Sequence, residues 1–322
     1  MSSFQIWVIN ILLISYCAKS SAGPQSPILV SELPSDPLEP VDKWLWTRVG
    51  EEGYLYQYPL EFGPREQSVP SEPPIRDQNN LLSFEEWLKK EEKSGNVTKE
   101  LSVLMLSITE AIKTITAITK FPVTRNIAMT KGIYETAAPT AFKDEILASP
   151  GSAGLLFSST DDKPVIIDSS KNVAVSLVPL LCSDNIELGL PHGSTFLVSE
   201  MVWTGLQPMA AGYVLYGSAT IFTITVGSSV VEFTLDQDFT FRMTNSELKV
   251  PDLGDYFSVD AVHDTVWLST RITKYIRNRT SEAGHKSSYD CIVSDMHRII
   301  KKGGLFMSPK SEKFPKGRFS VQ

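Results

Sequence analysis

The sequence predicts a mixed fold of the α/β or α+β layered kind over its last three quarters. Three observations lead there. Capped amphipathic segments at 83–93 and 98–119 read as helices. The β-branched runs Thr220–Val226 and Val230–Leu235 flank a short turn and read as a hairpin. Isolated apolar runs at Leu155–Phe157, Val165–Ile167 and Val173–Val175 read as further strands. Helices mixed with hairpins and lone strands must bury their apolar sides in layers.

The elements follow in order. Ile6–Tyr16 is a short apolar run, and Ser20-Ser21-Ala22 then offers small residues for cleavage. The run is shorter than the roughly 20 residues of a membrane span. Residues 1–22 are therefore expected to be a signal peptide, with an uncleaved anchor as the alternative; no membrane contact is expected after cleavage. No Lys or Arg precedes the run. Residues 23–80 hold many prolines around the aromatic island Trp44-Leu45-Trp46 and Tyr54–Tyr58, and read as an extended arm. Ser83 with Glu86 forms a capping box that opens a helix through Lys93. The next helix starts near Thr98, with Glu100 in its first turn; Leu101, Leu104, Ile108, Ala111, Ile112, Ile115 and Ile118 recur along one side. Ala210, Ala211, Gly212, Gly217 and Ser218 fit a helix packed closely on a sheet. Val266, Leu268, Ile272, Tyr275 and Ile276 mark a helix over 264–278. A strand-turn-helix pattern then ends in Leu305-Phe306-Met307.

Composition narrows the function classes. The chain has 322 residues, 42% hydrophobic and 10% aromatic, which suits a packed core and allows two domains. The net charge of −7 argues against sequence-independent nucleic-acid binding. Lys301, Lys302, Lys310, Lys313, Lys316 and Arg318 make the C-terminal stretch locally basic, either a solvated surface or a phosphate-binding rim. Removing a signal peptide would leave Cys182 and Cys291, as one disulfide or as two separate buried thiols. The sequons at Asn96 and Asn278 suit glycosylation in a secretory compartment. His192, His263, His285 and His297 show no His-Glu-x-x-His spacing, and no Gly-x-Ser-x-Gly elbow surrounds His192-Gly193-Ser194. Asp295 with His297 could be called a metal pair, although a structural role is the plainer reading.

Three strings are more specific: Ala210–Thr220, Val293–Arg298 and Gly303–Phe306. With the helix at 98–119 in matching order, the chain from about residue 83 resembles class I fructose-1,6-bisphosphatases. The resemblance implies an α/β/α/β/α sandwich, with an N-terminal domain over 81–250 and a truncated C-terminal domain over 251–322 whose last strands are missing. It also implies magnesium-assisted removal of the 1-phosphate of fructose 1,6-bisphosphate, in cytoplasmic homo-oligomers.

The matched residues carry that resemblance unevenly. The family signature Asp-Pro-Leu-Asp-Gly-Ser-Ser-Asn-Ile-Asp falls on Val178–Glu187. Pro179, Leu180, Ser183, Asn185 and Ile186 hold the register, while Val178 and Leu181 replace both leading aspartates. An upstream acidic pair falls on Thr160 and Asp161, which leaves Asp161 as a remnant. A Lys-Leu-Asp falls on Glu135-Thr136-Ala137. On the sugar side the match gives Asp260 and His263, Ser287 and Ser288, and Arg318. The family's AMP positions fall on Thr98, Glu100, Leu101 and Ser102, where helix capping and core packing explain the same residues. Cys182 and Cys291 sit in loops that face each other across the family's active site, so a disulfide there would seal the pocket.

Aliphatic side chains offer no metal ligand, so neither a metal site nor a cofactor is expected. The expected function is a secreted, inactive relative that serves as a binding or structural protein, with a phosphosugar as the small-molecule partner. The alternative is an active magnesium-dependent phosphatase rearranged around Asp161, Asp184 and Glu187; an incompletely read chain is the third reading.

Overall fold

The computed structural model describes residues 81–120, 131–149, 151, 153–226, 229–251, 254, 256–259, 270–281, 286–287 and 291–307. The expected signal segment and arm lie outside these residues, as do Asp260, His263, Ser288 and Arg318.

Helix α1 spans Phe84–Lys93 and opens on the expected capping box. The Ser83 hydroxyl accepts from the Glu86 backbone, and the Ser83 backbone donates to the Glu86 carboxylate at 2.9 Å. Donation by the Ser83 N–H, and by the Ser83 hydroxyl at 2.8 Å, holds the Glu86 carboxyl below its usual range. Helix α2 spans Lys99–Lys120, where the Thr98 hydroxyl accepts from the Leu101 N–H at 3.2 Å. Leu101, Leu104, Ile108, Ile112 and Ile115 are buried along one side. By length and composition alone α2 is long and apolar enough to cross a membrane; here it is a mostly buried core helix.

Helix α3, Lys131–Leu147, was not expected. Pro139 lies inside it and removes one backbone donor. The helix survives because Tyr134, Ala138, Phe142 and Ile146, four residues apart, all bury on one side.

The large sheet has eight strands in the order β2-β1-β3-β4-β5-β6-β7-β8. They are β1 Leu155–Ser158, β2 Val165–Ile166, β3 Val173–Leu181, β4 His192–Val202, β5 Gly205–Tyr216, β6 Thr220–Val226, β7 Ser229–Leu235 and β8 Phe241–Asn245. All pairings are antiparallel except β1 with β3. The small-residue run at 210–216 is strand β5 and not a helix. Its small residues serve cross-strand packing: a Cβ on Gly212 would lie 2.5 Å from the Phe196 ring.

The remaining elements are β9 Tyr256–Val259, α4 Thr270–Ser281, β10 Lys286–Ser287, α5 Ile292–Lys302 and β11 Leu305–Met307. Strands β10, β9 and β11 form a parallel three-stranded sheet. Helix α4 begins later than the expected 264–278, and residues 264–269 are outside the described set.

Layering follows from which side chains each sheet face buries. Phe84 of α1 meets Phe222 and Phe233 edge-on at 5.3 and 5.0 Å, and α2 and α3 join it on that face. The opposite face packs Val178, Leu181 and Tyr213 against Ile292, Val293, Met296 and Ile300 of α5. Beyond α5, adjacent β9 residues point to opposite sides. Arg298 of α5 lies 6.0 Å from the Tyr256 ring, while Phe257 meets Tyr275 of α4. The layers therefore run α/β/α/β/α.

If Gly212 is held small by the Phe196 ring, Gly212→Ala should destabilise the chain by about 1–3 kcal/mol. An unchanged denaturation midpoint would contradict this packing.

Candidate functional site

The site is built at the end of β3. This strand is covered on both faces, so nearly all its residues are apolar and buried. Val178 pairs with Thr195 and Leu181 with Gly193, with a register shift between them. Pro179 lies within the shift and has no N–H to donate. Its carbonyl accepts from the Ser194 hydroxyl at 2.6 Å, and the Tyr216 hydroxyl lies 3.1 Å from the same group. In a regular strand, residues three apart point to opposite faces. The bulge instead turns both Val178 and Leu181 toward α5, at 0% and 2% exposure.

The chain then turns sharply. Cys182 has φ 62°, a conformation that favours glycine. Ser183–Asn185 form one turn of 3₁₀ helix. The Asn185 amide donates to the Pro191 carbonyl at 2.7 Å, and the Ser183 hydroxyl donates to Glu135 of α3 at 2.9 Å. Ile186 is buried, while Asp184 and Glu187 are exposed. Both polar remnants of the signature thus have partners inside the protein.

A disulfide joins Cys182 to Cys291, with Cα atoms 5.7 Å apart. Cys291 caps the N-terminus of α5, so the bond ties that helix to the β3 turn. Gly193 permits this approach, since a Cβ there would lie 2.9 Å from the Val293 side chain.

The other candidates are scattered. Asp161 sits exposed in the turn after β1, its backbone donating to the Ser158 carbonyl. Parallel pairing of β1 with β3 puts Asp161 and the 182–187 turn beyond the same end of the sheet. Thr98 and Glu100 are exposed in the first turn of α2, and Leu101 and Ser102 are buried. Asn96 is exposed in the turn before α2, bonded to Glu91 at 2.7 Å, and Asn278 is exposed on α4. Among the described residues, no group of three or more His, Cys, Asp or Glu side chains could hold a metal ion. Val178 and Leu181 present no lone pair, so the residues at the signature do not fit magnesium, which requires oxygen ligands. The sequence reading missed the Glu135–Ser183 bond, because it depends on a helix whose proline masked it. It also missed a part-buried polar group formed by Tyr213, Glu232, His297 and Lys301.

Comparison with known proteins fits this architecture. A family model for the fructose-1,6-bisphosphatase C-terminal domain matches residues 250–322. The class 1 enzyme of Sulfurihydrogenibium is 29% identical over 189 residues, which is 55% of this chain and 58% of that protein. Along most of its described length the chain is similar to fructose-1,6-bisphosphatases. The wheat chloroplastic enzyme is 24% identical over 76% of this chain and 70% of its own length. The holo crystal structure of the Leishmania major enzyme superposes with a TM-score of 0.66 at 23% identity, covering 74% of this chain and 80% of that one. The shared fold is the layered sandwich described above.

The disulfide closes a loop with a sequence separation of 109. A Cys182→Ser, Cys291→Ser variant should lose about 2–5 kcal/mol of stability. Urea unfolding of the oxidised wild type and the variant would measure it, and coincident curves would contradict a stabilising staple.

Proposed function

We propose that this fructose-1,6-bisphosphatase-family protein no longer hydrolyses phosphate esters and serves as a binding or structural protein of the secretory pathway. One observation carries the reading: buried Val178 and Leu181 match the signature aspartates and pack under α5. Metal-assisted phosphate-ester hydrolysis needs cations to neutralise charge on the attacked and leaving oxygens. Hydrocarbon at the ligand positions cannot recruit them. Glu135 also takes up the Ser183 hydroxyl, a donor that a sugar phosphate would need, and sets a carboxylate where an anion would have to enter. Weak phosphosugar binding is the most that this turn supports.

The secretory part rests on the apolar run Ile6–Tyr16 with Ser20-Ser21-Ala22 after it, and on the exposed sequon residues Asn96 and Asn278. The Cys182–Cys291 disulfide suits an oxidising compartment.

A second reading uses Asp161, which lies beyond the same sheet end as Asp184 and Glu187, as the centre of a rearranged active phosphatase. One assay separates the two. The full chain is incubated with fructose 1,6-bisphosphate and magnesium, and released phosphate is followed. The expected result is release no faster than the protein-free blank. Magnesium-dependent turnover that Asp161→Asn abolishes would overturn the proposal and establish the second reading.

A further inference from the structure

The sheet face beneath α5 carries a polar row. Thr195 stands opposite Tyr213, Tyr213 opposite Thr223, and Thr223 opposite Glu232. Four polar residues therefore stand side by side across β4, β5, β6 and β7, none more than 4% exposed. Helix α5 covers them with His297 and Lys301. The Tyr213 hydroxyl and His297 Nδ1 are 3.0 Å apart, and Lys301 Nζ donates to Glu232 Oε1 at 2.7 Å. The Thr244 hydroxyl donates to the same oxygen at 3.1 Å. His297 Nε2 lies 4.0 Å from Glu232 Oε2.

Three buried oxygens in this row have no protein hydrogen-bond partner among the described residues: Thr195 Oγ1, Thr223 Oγ1 and Glu232 Oε2. Native interiors rarely leave such groups unsatisfied, because a buried donor or acceptor loses its hydration without return. We propose that the row is an internal hydration site, where ordered water beneath α5 bridges Thr223 Oγ1 to Glu232 Oε2 and a second water satisfies Thr195 Oγ1.

Geometry and charge both favour water as the ligand. Directly opposed residues have Cβ atoms about 4.5–5.5 Å apart. Thr223 Oγ1 and Glu232 Oε2 make no direct bond to each other, and one water with its two to four bonds can span such a gap. A cation is disfavoured because Lys301 already balances the Glu232 carboxylate. Burial pushes the His297 pKa down and so favours a neutral ring, although Glu232 opposes that shift. Helix α5 is thus held in two ways. Ile292, Val293 and Met296 pack on the sheet beside the disulfide, and His297 and Lys301 rest on a wet polar row.

A crystal structure of the oxidised chain at a resolution that orders interior water is the test, with Thr223→Val solved alongside. The wild type should show water within hydrogen-bond reach of both Thr223 Oγ1 and Glu232 Oε2, and the variant should lose or shift it. If the variant does not fold, the wild-type map decides alone. Direct protein bonds to these oxygens, a dry row, or a metal ion at the position would each overturn the proposal.

Discussion

The packing of Val178 and Leu181 against the start of α5 is the contact on which the rest depends. It joins the large sheet to the middle helix layer, and through that helix to the second sheet. Three local features produce it. The bulge at Pro179 aims both side chains at one face. The absent Cβ of Gly193 lets Val293 approach. The Cys182–Cys291 bond fixes the helix start over the turn. Each acts on the same few ångströms of interface, so the loss of one would loosen what the others hold.

The same contact bears on function through electrostatics. Neighbouring carboxylates in a shared cleft repel one another unless a cation lies between them, and burying them unpaired is costly. Aliphatic residues at such positions remove both penalties. Well-packed apolar groups in place of buried charges are often neutral or stabilising. A chain freed from hydrolysis can therefore gain stability at the positions that once constrained it. On the proposed reading the disulfide and the two aliphatic residues join the layers by covalent and apolar contact, with no need of a cation. The Glu135–Ser183 bond completes the change at the turn, because the hydroxyl is satisfied from within.

Much of the fold was legible because local chemistry and tertiary packing agreed. The Ser83–Glu86 box and the stripe from Leu101 to Ile115 announced α1 and α2, and the β-branched run at 220–226 announced β6. Legibility failed where a residue's local preference opposed its packing role. Ala210 and Ala211 have high helix propensity, yet they lie in β5 beside Gly212, whose missing Cβ makes room for Phe196. Pro139 argues against a helix, yet α3 is held by its buried side. Strand β4 went unseen because His192-Gly193-Ser194-Thr195 resembles a turn until its cross-strand neighbours are known. At the site, the substitutions at 178 and 181 could be read directly. The bulge, the partner of Ser183 and the polar row under α5 could not, since they arise from register and from residues far apart in the chain.

Direct titration of the oxidised chain with manganese, followed by the electron paramagnetic resonance of the free ion, tests the central claim without needing a substrate. The account predicts no saturable site, with the free-ion signal rising in proportion to added metal. Stoichiometric binding that Asp161→Asn or Glu135→Gln removes would show that carboxylates elsewhere have rebuilt a cage, and would contradict it.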